Sequence, residues 1–161
     1  TNAGKTSLFN RLSKKNKLTE NALFATLDSA VGKMYLPELQ KEVLLSDTIG
    51  FIRNLPADLV DAFTSTLLES VSADILLHVI DVSDSDIENK IMVAEDILRK
   101  IGAHARKKIY VFNKIDAMPD VETRLIASLQ EKYAKFSPQF ISVKTGEGIE
   151  SLQTTIGTLL T

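Results

Sequence analysis

The stretch that decides the fold opens the chain and reads Thr1-Asn2-Ala3-Gly4-Lys5-Thr6-Ser7. Its Gly-Lys-Thr triplet fills the last three places of the phosphate-binding P-loop pattern G-x-x-x-x-G-K-[ST]. In that loop, backbone N–H groups surround phosphates, the lysine reaches the β and γ oxygens, and the hydroxyl binds Mg²⁺. The pattern's first glycine would lie five positions before Gly4, so we expect an N-terminally clipped chain. Because such a triplet also recurs by chance and can merely open a helix, the rest of the chain must decide.

The composition favours a single soluble domain over residues 1–161, with 44% hydrophobic residues to build a core. Nineteen basic against 21 acidic residues give a net charge of -2, which argues against binding to nucleic acid through bulk charge. The absence of cysteine excludes disulfides and thiolate metal sites and is compatible with a cytoplasmic location. No apolar run approaches the roughly 20 residues of a membrane span.

Apolar runs alternate with stretches of helical periodicity. The runs predict strands at 31–39, 42–46, 75–82, 109–112 and 140–143. The periodicity predicts helices that begin near Ser7, Pro56, Ile87, Val121 and Ile149. This alternation is typical of an α/β fold with a three-layer, doubly wound, mostly parallel sheet. In such sheets ligands bind beyond the carboxyl ends of the strands, and every polar motif below follows a predicted strand.

The run Asp47-Thr48-Ile49-Gly50 follows the second predicted strand and reads D-x-x-G. In a P-loop protein the aspartate can hold the metal ion, directly or through water, and the glycine N–H can meet the γ-phosphate. An aspartate that simply caps a strand-to-loop turn is the alternative. The upstream Gly-Lys-Thr triplet favours the nucleotide interpretation.

The sharpest signal is Asn113-Lys114-Ile115-Asp116, which reads N-K-x-D at the end of an apolar strand. A carboxylate at Asp116 can accept hydrogen bonds from guanine N1–H and N2–H₂, whereas adenine offers no such donor pair. Asn113 would tether the loops around the base, and the stem of Lys114 would lie along its face. A polar turn after a strand is the alternative interpretation.

Two weaker signals complete the pattern. Ser142-Val143-Lys144 follows the last predicted strand, where backbone N–H groups would point at guanine O6, although the run is also an ordinary turn. Thr26, within the loop 18–28, is a candidate second hydroxyl ligand for Mg²⁺ if that loop closes over a γ-phosphate. An unremarkable loop threonine is the alternative.

With these residues in place, the chain resembles translation-factor-type GTPases, and in particular the HflX family of ribosome-associated GTPases. The resemblance extends over nearly the whole length and rests on TNAGKTSLFN, LFATLD, DTIGFIRNLPADLVDAFTSTLLE, LLHVIDVS, NKID and SVKTGEGI. It implies one P-loop GTPase domain that lacks its first strand and the start of its P-loop. It further implies GTP and GDP binding, Mg²⁺-dependent hydrolysis and the large ribosomal subunit as partner, and we expect a monomer without a DNA partner.

The resemblance also assigns residues. Those implied in catalysis are Lys5, Thr26 and Gly50, and the implied Mg²⁺ ligands are Thr6, Thr26 and Asp47. Those implied to contact the nucleotide are Thr1, Asn2, Ala3, Gly4, Lys5, Thr6, Ser7, Phe24, Ala25, Thr26, Leu27, Asp28, Asp47, Thr48, Ile49, Gly50, Asn113, Lys114, Ile115, Asp116, Ser142, Val143 and Lys144.

Besides the missing opening glycine and preceding strand, four positions depart from the usual patterns. Ser29-Ala30 stands where the family often has Pro-Thr, and Val143 replaces the more usual alanine. Phe51 follows D-x-x-G, where Ras-like proteins place a glutamine that orients the attacking water. Since phenylalanine cannot hydrogen-bond water, we predict slow intrinsic hydrolysis, roughly 10⁻⁴ s⁻¹, with a partner supplying the missing element. A nucleotide-gated ribosome- or RNA-binding module with negligible hydrolysis is the alternative.

Basic clusters and histidines give weaker predictions. Lys14, Lys15 and Lys17, together with the run Arg106-Lys107-Lys108, are candidates for contact with ribosomal RNA, or are simply solvated. His78 is expected to be a packed, hydrogen-bonded core histidine, and His104 to lie in a turn. Neither histidine is expected to be catalytic.

Overall fold

The computed structural model describes residues 3–13, 30–47, 70–118 and 123–161. Two strands form an antiparallel hairpin, and three others form a parallel sheet. The hairpin consists of β1 (Ala30–Leu36) and β2 (Lys41–Asp47), joined by a short 3₁₀ turn at Pro37–Leu39. The parallel sheet has the order β3-β4-β5, formed by Ile75–Asp81, Lys107–Asn113 and Gln139–Ile141.

Besides the helical residues 70–72, four α-helices lie in the described part of the chain. They are α1 (Lys5–Leu12), α2 (Ile87–Lys100), α3 (Thr123–Lys132) and α4 (Ile149–Leu160). Strands and helices alternate along the chain as the sequence predicts, and the α/β fold with a parallel sheet is confirmed. None of the described helices combines the length and the apolar character needed to cross a membrane.

Strand β4 is the centre of the parallel sheet and is buried on both faces. Ile109 and Val111 are completely buried in one apolar cluster, and Tyr110 and Phe112 are buried in the other. Because successive side chains of a strand point to opposite faces, a strand covered on both sides needs a continuous apolar run. The sequence of β4 meets that need.

Helices cover both faces of this strand. The first cluster combines residues of α1, the hairpin and α4 with one face of the sheet: Leu8, Leu12, Met34, Leu36, Ile109, Val111, Ile141, Leu152 and Ile156. The second combines α2 and α3 with the other face: Ile80, Val82, Ile87, Ile91, Tyr110, Phe112, Leu129 and Tyr133. This is the three-layer, doubly wound arrangement, and that prediction is also confirmed.

A side-chain-stabilised turn precedes α2. Asp86 occupies the N-cap position, but its side chain makes no capping hydrogen bond to the helix. Instead the Asp84 carboxylate accepts the Asp86 N–H over 2.9 Å, which forms a turn before the helix begins. At the other end Gly102 closes the helix, because it adopts φ 77° and the Ala103 N–H bonds back to the Leu98 carbonyl.

Several sequence predictions fall outside the described residues. They are the loop at 18–28, the lysines at 14, 15 and 17, the helix expected from Pro56, and the helix start expected near Val121. These stay predictions.

Candidate nucleotide-binding site

Polar residues gather where the strands end. The registers place Asp81 beside Asn113, and Asn113 beside Ile141, so β3, β4 and β5 finish at the same level. Ser142 follows Ile141 directly. The predicted recognition residues therefore share the edge of the sheet at which α/β folds bind ligands.

The phosphate end of the site lies at the start of α1. Gly4 takes the N-cap position with φ 85°, and Lys5, Thr6 and Ser7 form the first turn. The N-terminus of a helix offers unpaired N–H groups and a partial positive charge to an anion. Lys5 Nζ contacts the carboxylate of Asp47, whose side chain is only 8% exposed, and this contact joins the triplet to the end of β2. Burial lowers the pKa of Lys5 below its usual value.

Asn113 ties the phosphate end to the base end. Its side chain is 2% exposed, its Nδ2 donates to the Ala3 carbonyl over 2.8 Å, and its Oδ1 accepts the Val143 N–H over 3.0 Å. A Cβ at Gly4 would lie 2.4 Å from Asn113 Nδ2, so only glycine leaves room for the amide. The predicted tether is present in the geometry.

The Asp116 carboxylate is positioned by residues of the loop 142–146. Its Oδ1 accepts the Ser142 hydroxyl over 2.6 Å, and its Oδ2 lies 3.7 Å from Lys144 Nζ. The hydrogen bond from Ser142 lowers the pKa of Asp116, which favours an ionised carboxylate. Ser142 is completely buried, and its Oγ also accepts the Thr145 N–H over 3.1 Å. The sequence predicted a role only for the backbone groups of this loop, and the role of the Ser142 hydroxyl became visible only in the structure.

The same loop leaves one backbone donor available. The N–H groups of Ser142, Val143, Thr145 and Gly146 donate to the Glu147 carbonyl, Asn113 Oδ1, Ser142 Oγ and the Ser142 carbonyl, respectively. Within the described part of the chain, the Lys144 N–H is the only one of the loop without an acceptor. It is therefore the donor that the loop can offer to a ligand.

Lys114 is held by a residue that the sequence analysis missed. Asp81, the last residue of β3, accepts Lys114 Nζ over 2.6 Å, and also the N–H and hydroxyl of Ser83. Burial favours the neutral form of Asp81, but the hydrogen bonds from Lys114 and Ser83 outweigh it and lower the pKa. Its place at the end of a predicted parallel strand was the signal that could have found it.

The oxygen donors at the phosphate end suit Mg²⁺. Across the described ranges, no group of three or more His, Cys, Asp or Glu side chains could hold a metal ion by itself. Among the described residues, the predicted oxygen ligands for Mg²⁺ are the Thr6 hydroxyl and the Asp47 carboxylate. That pair fits Mg²⁺, which typically takes one or two protein oxygens together with phosphate oxygens and water.

Other predicted site residues lie outside the described ranges. They are Thr1, Asn2, Phe24, Ala25, Thr26, Leu27, Asp28, Thr48, Ile49 and Gly50, together with Phe51. Their assignments stay predictions.

Two predictions away from the site need correction. Lys108 cannot serve in an RNA-binding cluster, because its side chain is 6% exposed and its Nζ lies 2.5 Å from Glu95. Lys107 donates to the Leu159 carbonyl over 2.7 Å, although it stays exposed. His78 is packed as expected, but its buried Nδ1 makes no hydrogen bond in the described structure and lies 3.9 Å from Glu95 Oε1.

Comparison with known proteins places the chain in a family. The family described as "50S ribosome-binding GTPase" matches residues 1–114. The protein "GTPase HflX" of Caldanaerobacter subterraneus subsp. tengcongensis is 52% identical over 118 residues, which are 73% of this chain and 27% of that protein. The HflX of Lacrimispora saccharolytica is 43% identical over 161 residues, covering 99% of this chain and 36% of the relative. The HflX of Escherichia coli K12 is 40% identical over 152 residues, which are 94% of this chain and 35% of that protein.

Solved structures agree with the sequence relatives. A GTP-binding protein from Sulfolobus solfataricus in complex with GDP is 28% identical with a TM-score of 0.75, over 99% of this chain and 49% of that one. The protein SsGBP in complex with GDP is 31% identical with a TM-score of 0.76, and the match covers 99% of this chain and 47% of that one. The chain spans roughly a third of the length of the curated relatives named above. It belongs to the family of 50S ribosome-binding GTPases, and within that family it is of the HflX type.

Proposed function

We propose that the protein binds GTP and GDP with Mg²⁺, hydrolyses GTP slowly, and acts as a switch on the large ribosomal subunit. The observation that carries the nucleotide part is that one loop holds the Asp116 carboxylate through Ser142 and also contains the Lys144 N–H, which has no acceptor among the described residues. Ser142 fixes the carboxylate at 2.6 Å, and four internal hydrogen bonds fix the other N–H groups of the loop.

This pair of groups is complementary to guanine. The carboxylate accepts from N1–H and N2–H₂, while the Lys144 N–H donates to O6. Adenine carries an amino group at the position of O6, so this donor would meet the Lys144 N–H, which is also a donor. Adenine has no proton on N1, so the Asp116 carboxylate would be left unpaired. A site built in this way rejects the wrong base strongly, since its polar groups would lose their partners.

The phosphates would bind at the start of α1. Lys5 would leave Asp47 and reach the phosphate oxygens, and Thr6 and Asp47 would hold Mg²⁺, which neutralises phosphate charge when bound. The two similar proteins whose structures contain GDP support a guanine nucleotide at this place. Thr26 and Gly50 would complete the γ-phosphate contacts, as the family resemblance implies.

Hydrolysis is proposed to be slow without a partner. Phosphoryl transfer to water needs charge neutralisation and an oriented nucleophile, and Lys5 with the helix N-terminus supplies only the first. Phe51 stands where an orienting side chain would be needed. The large ribosomal subunit is the proposed source of the missing element, and the description of the matching family supports it.

Nucleotide binding tests the first half of the proposal. Titration of GDP, GTP and ATP with Mg²⁺ should show guanine-selective binding that is lost in Asp116→Ala. Asp74→Ala is the matched control, because Asp74 is an exposed aspartate away from the site. Equal affinities for GTP and ATP in the wild-type protein would refute the proposed site.

Phosphate release tests the second half and separates the switch from the alternative of a nucleotide-gated binding module. We expect turnover near 10⁻⁴ s⁻¹ for the protein alone and a large acceleration by 50S subunits. Nucleotide-dependent binding to 50S subunits without any acceleration would support the binding module instead. Turnover above about 1 s⁻¹ without a partner would contradict the proposal that Phe51 makes intrinsic GTP hydrolysis slow.

A further inference from the structure

We propose, on the basis of the guanine-nucleotide function above, that Arg11 is a positioning residue for base recognition: it orients the Val143–Lys144 peptide group so that its N–H meets guanine O6. Arg11 lies in the last turn of α1, far along the chain from the recognition loop. Its Nη1 donates to the Val143 carbonyl over 3.2 Å.

The geometry of the peptide group makes this contact directional. The described chain contains no cis peptide bond, so the carbonyl and the N–H of one peptide group point in opposite directions. The Val143 carbonyl and the Lys144 N–H belong to the same group. A guanidinium that binds the carbonyl from one side therefore directs the N–H to the other side, and that N–H is the loop's one donor without an acceptor among the described residues.

The fit around Arg11 is close. Gly146 adopts φ 96°, and a Cβ at that position would lie 2.3 Å from Arg11 Nη2. The guanidinium thus packs against the loop at Gly146 while it binds the carbonyl of Val143. The loop is held from two directions, by Asn113 on the Val143 N–H and by Arg11 on the Val143 carbonyl.

Charge adds to the effect of orientation. A cation on the carbonyl oxygen polarises the peptide group, and hydrogen bonds in a chain strengthen one another. The Lys144 N–H should therefore be a better donor to O6 than a neutral peptide. Arg11 also couples the two ends of the nucleotide site, because the helix that carries it begins with Lys5.

The test compares three nucleotides, so that the O6 contact is separated from the others. GDP carries O6 and the 2-amino group; inosine diphosphate keeps O6 and lacks the 2-amino group; 6-thio-GDP keeps the 2-amino group and replaces O6 with sulfur, a weak acceptor. In Arg11→Ala we expect about five- to tenfold weaker binding of GDP and of inosine diphosphate, and a clearly smaller loss for 6-thio-GDP.

Arg11→Lys keeps the charge but loses the planar fork, and should give an intermediate loss with the same nucleotide pattern. Should Arg11→Ala not fold, Arg11→Lys carries the test alone. Arg99→Ala is the matched control, since Arg99 is an exposed helical arginine paired with Asp96 away from the loop. An equal loss for GDP and 6-thio-GDP would overturn the role of Arg11 and leave the guanine site intact. A wild-type protein without guanine preference would overturn both.

Discussion

The side chain of Asn113 donates to the backbone carbonyl of Ala3 over 2.8 Å, although 110 positions separate the two residues. The same side chain accepts the Val143 N–H. One buried carboxamide therefore holds together the segment proposed to bind phosphates and the loop proposed to bind the base. The bridge fixes the position of these two segments relative to each other.

Removal of the bridge should cost both stability and affinity. Asn113 is only 2% exposed, and Asn113→Ala removes the partner of the Ala3 carbonyl and of the Val143 N–H. We therefore expect a loss of about 2–3 kcal/mol in the free energy of unfolding. Denaturant unfolding measures it, and GDP titration should show weaker binding. The control is Asn89→Ala, an exposed asparagine with only a 3.4 Å contact to Asp86. Equal effects of the two substitutions would contradict the bridge.

Gly4 should be sensitive for two reasons that can be separated. Gly4→Ala places a Cβ 2.4 Å from Asn113 Nδ2 and forces alanine into φ 85°. Gly102→Ala imposes nearly the same backbone strain at φ 77° with nothing within 4 Å. We expect Gly102→Ala to cost about 1–2 kcal/mol of stability from backbone strain and no nucleotide affinity. Gly4→Ala should cost more stability and also weaken GDP binding, and the contact with Asn113 would be disproved if it did not.

The elements of this fold were readable in the sequence because each one is decided locally. The continuous apolar run of β4 requires cover on both faces, and the alternation at Met34 and Leu36 fits a hairpin with one buried side. The N-K-x-D run could also be located from the sequence because it follows an apolar strand, and Asn113 and Asp116 do lie at the carboxyl edge of the sheet.

The supporting contacts were not readable, because they join residues that only the fold brings together. Arg11 looks like an ordinary basic residue in the last turn of a helix, and nothing near it in sequence points to the Val143 carbonyl. Lys108 looks like part of an exposed basic run, but the alternation of β4 turns it into the interior beside Glu95. Its burial follows from tertiary packing and not from local composition.

Glu95 should be far more important than other surface-helix glutamates. Its carboxylate accepts from Lys108 over 2.5 Å and from the Tyr110 hydroxyl over 2.7 Å. Glu95→Gln leaves the buried Lys108 ammonium without a counter-charge, so we expect about 2–4 kcal/mol of destabilisation. Glu88→Gln breaks a pair with Lys132 in which the glutamate is 74% exposed, and should cost less than about 0.5 kcal/mol. Urea unfolding of Glu95→Gln and Glu88→Gln measures the two losses. Similar unfolding midpoints for the two variants would show that the buried pair of Glu95 and Lys108 contributes little to stability.

His78 should make the folded protein sensitive to mild acid. Burial lowers its pKa to about 4, the Glu95 carboxylate opposes this shift, and Lys108 adds to it. The unfolded chain binds a proton near pH 6.5, whereas the folded chain does so only near pH 4. Stability should therefore fall as the pH drops from 6.5 to 4, by about 3 kcal/mol at most from His78, and this contribution should stay constant above pH 6.5.

Asp81, Glu95 and Asp116, whose pKa values are lowered, add their own losses of stability at more acidic pH. His78→Phe should flatten the curve between pH 6.5 and 4, and its ring can pack against Tyr110, whose ring centroid lies 5.1 Å from that of His78. An unchanged slope in His78→Phe would mean that another group takes up the proton.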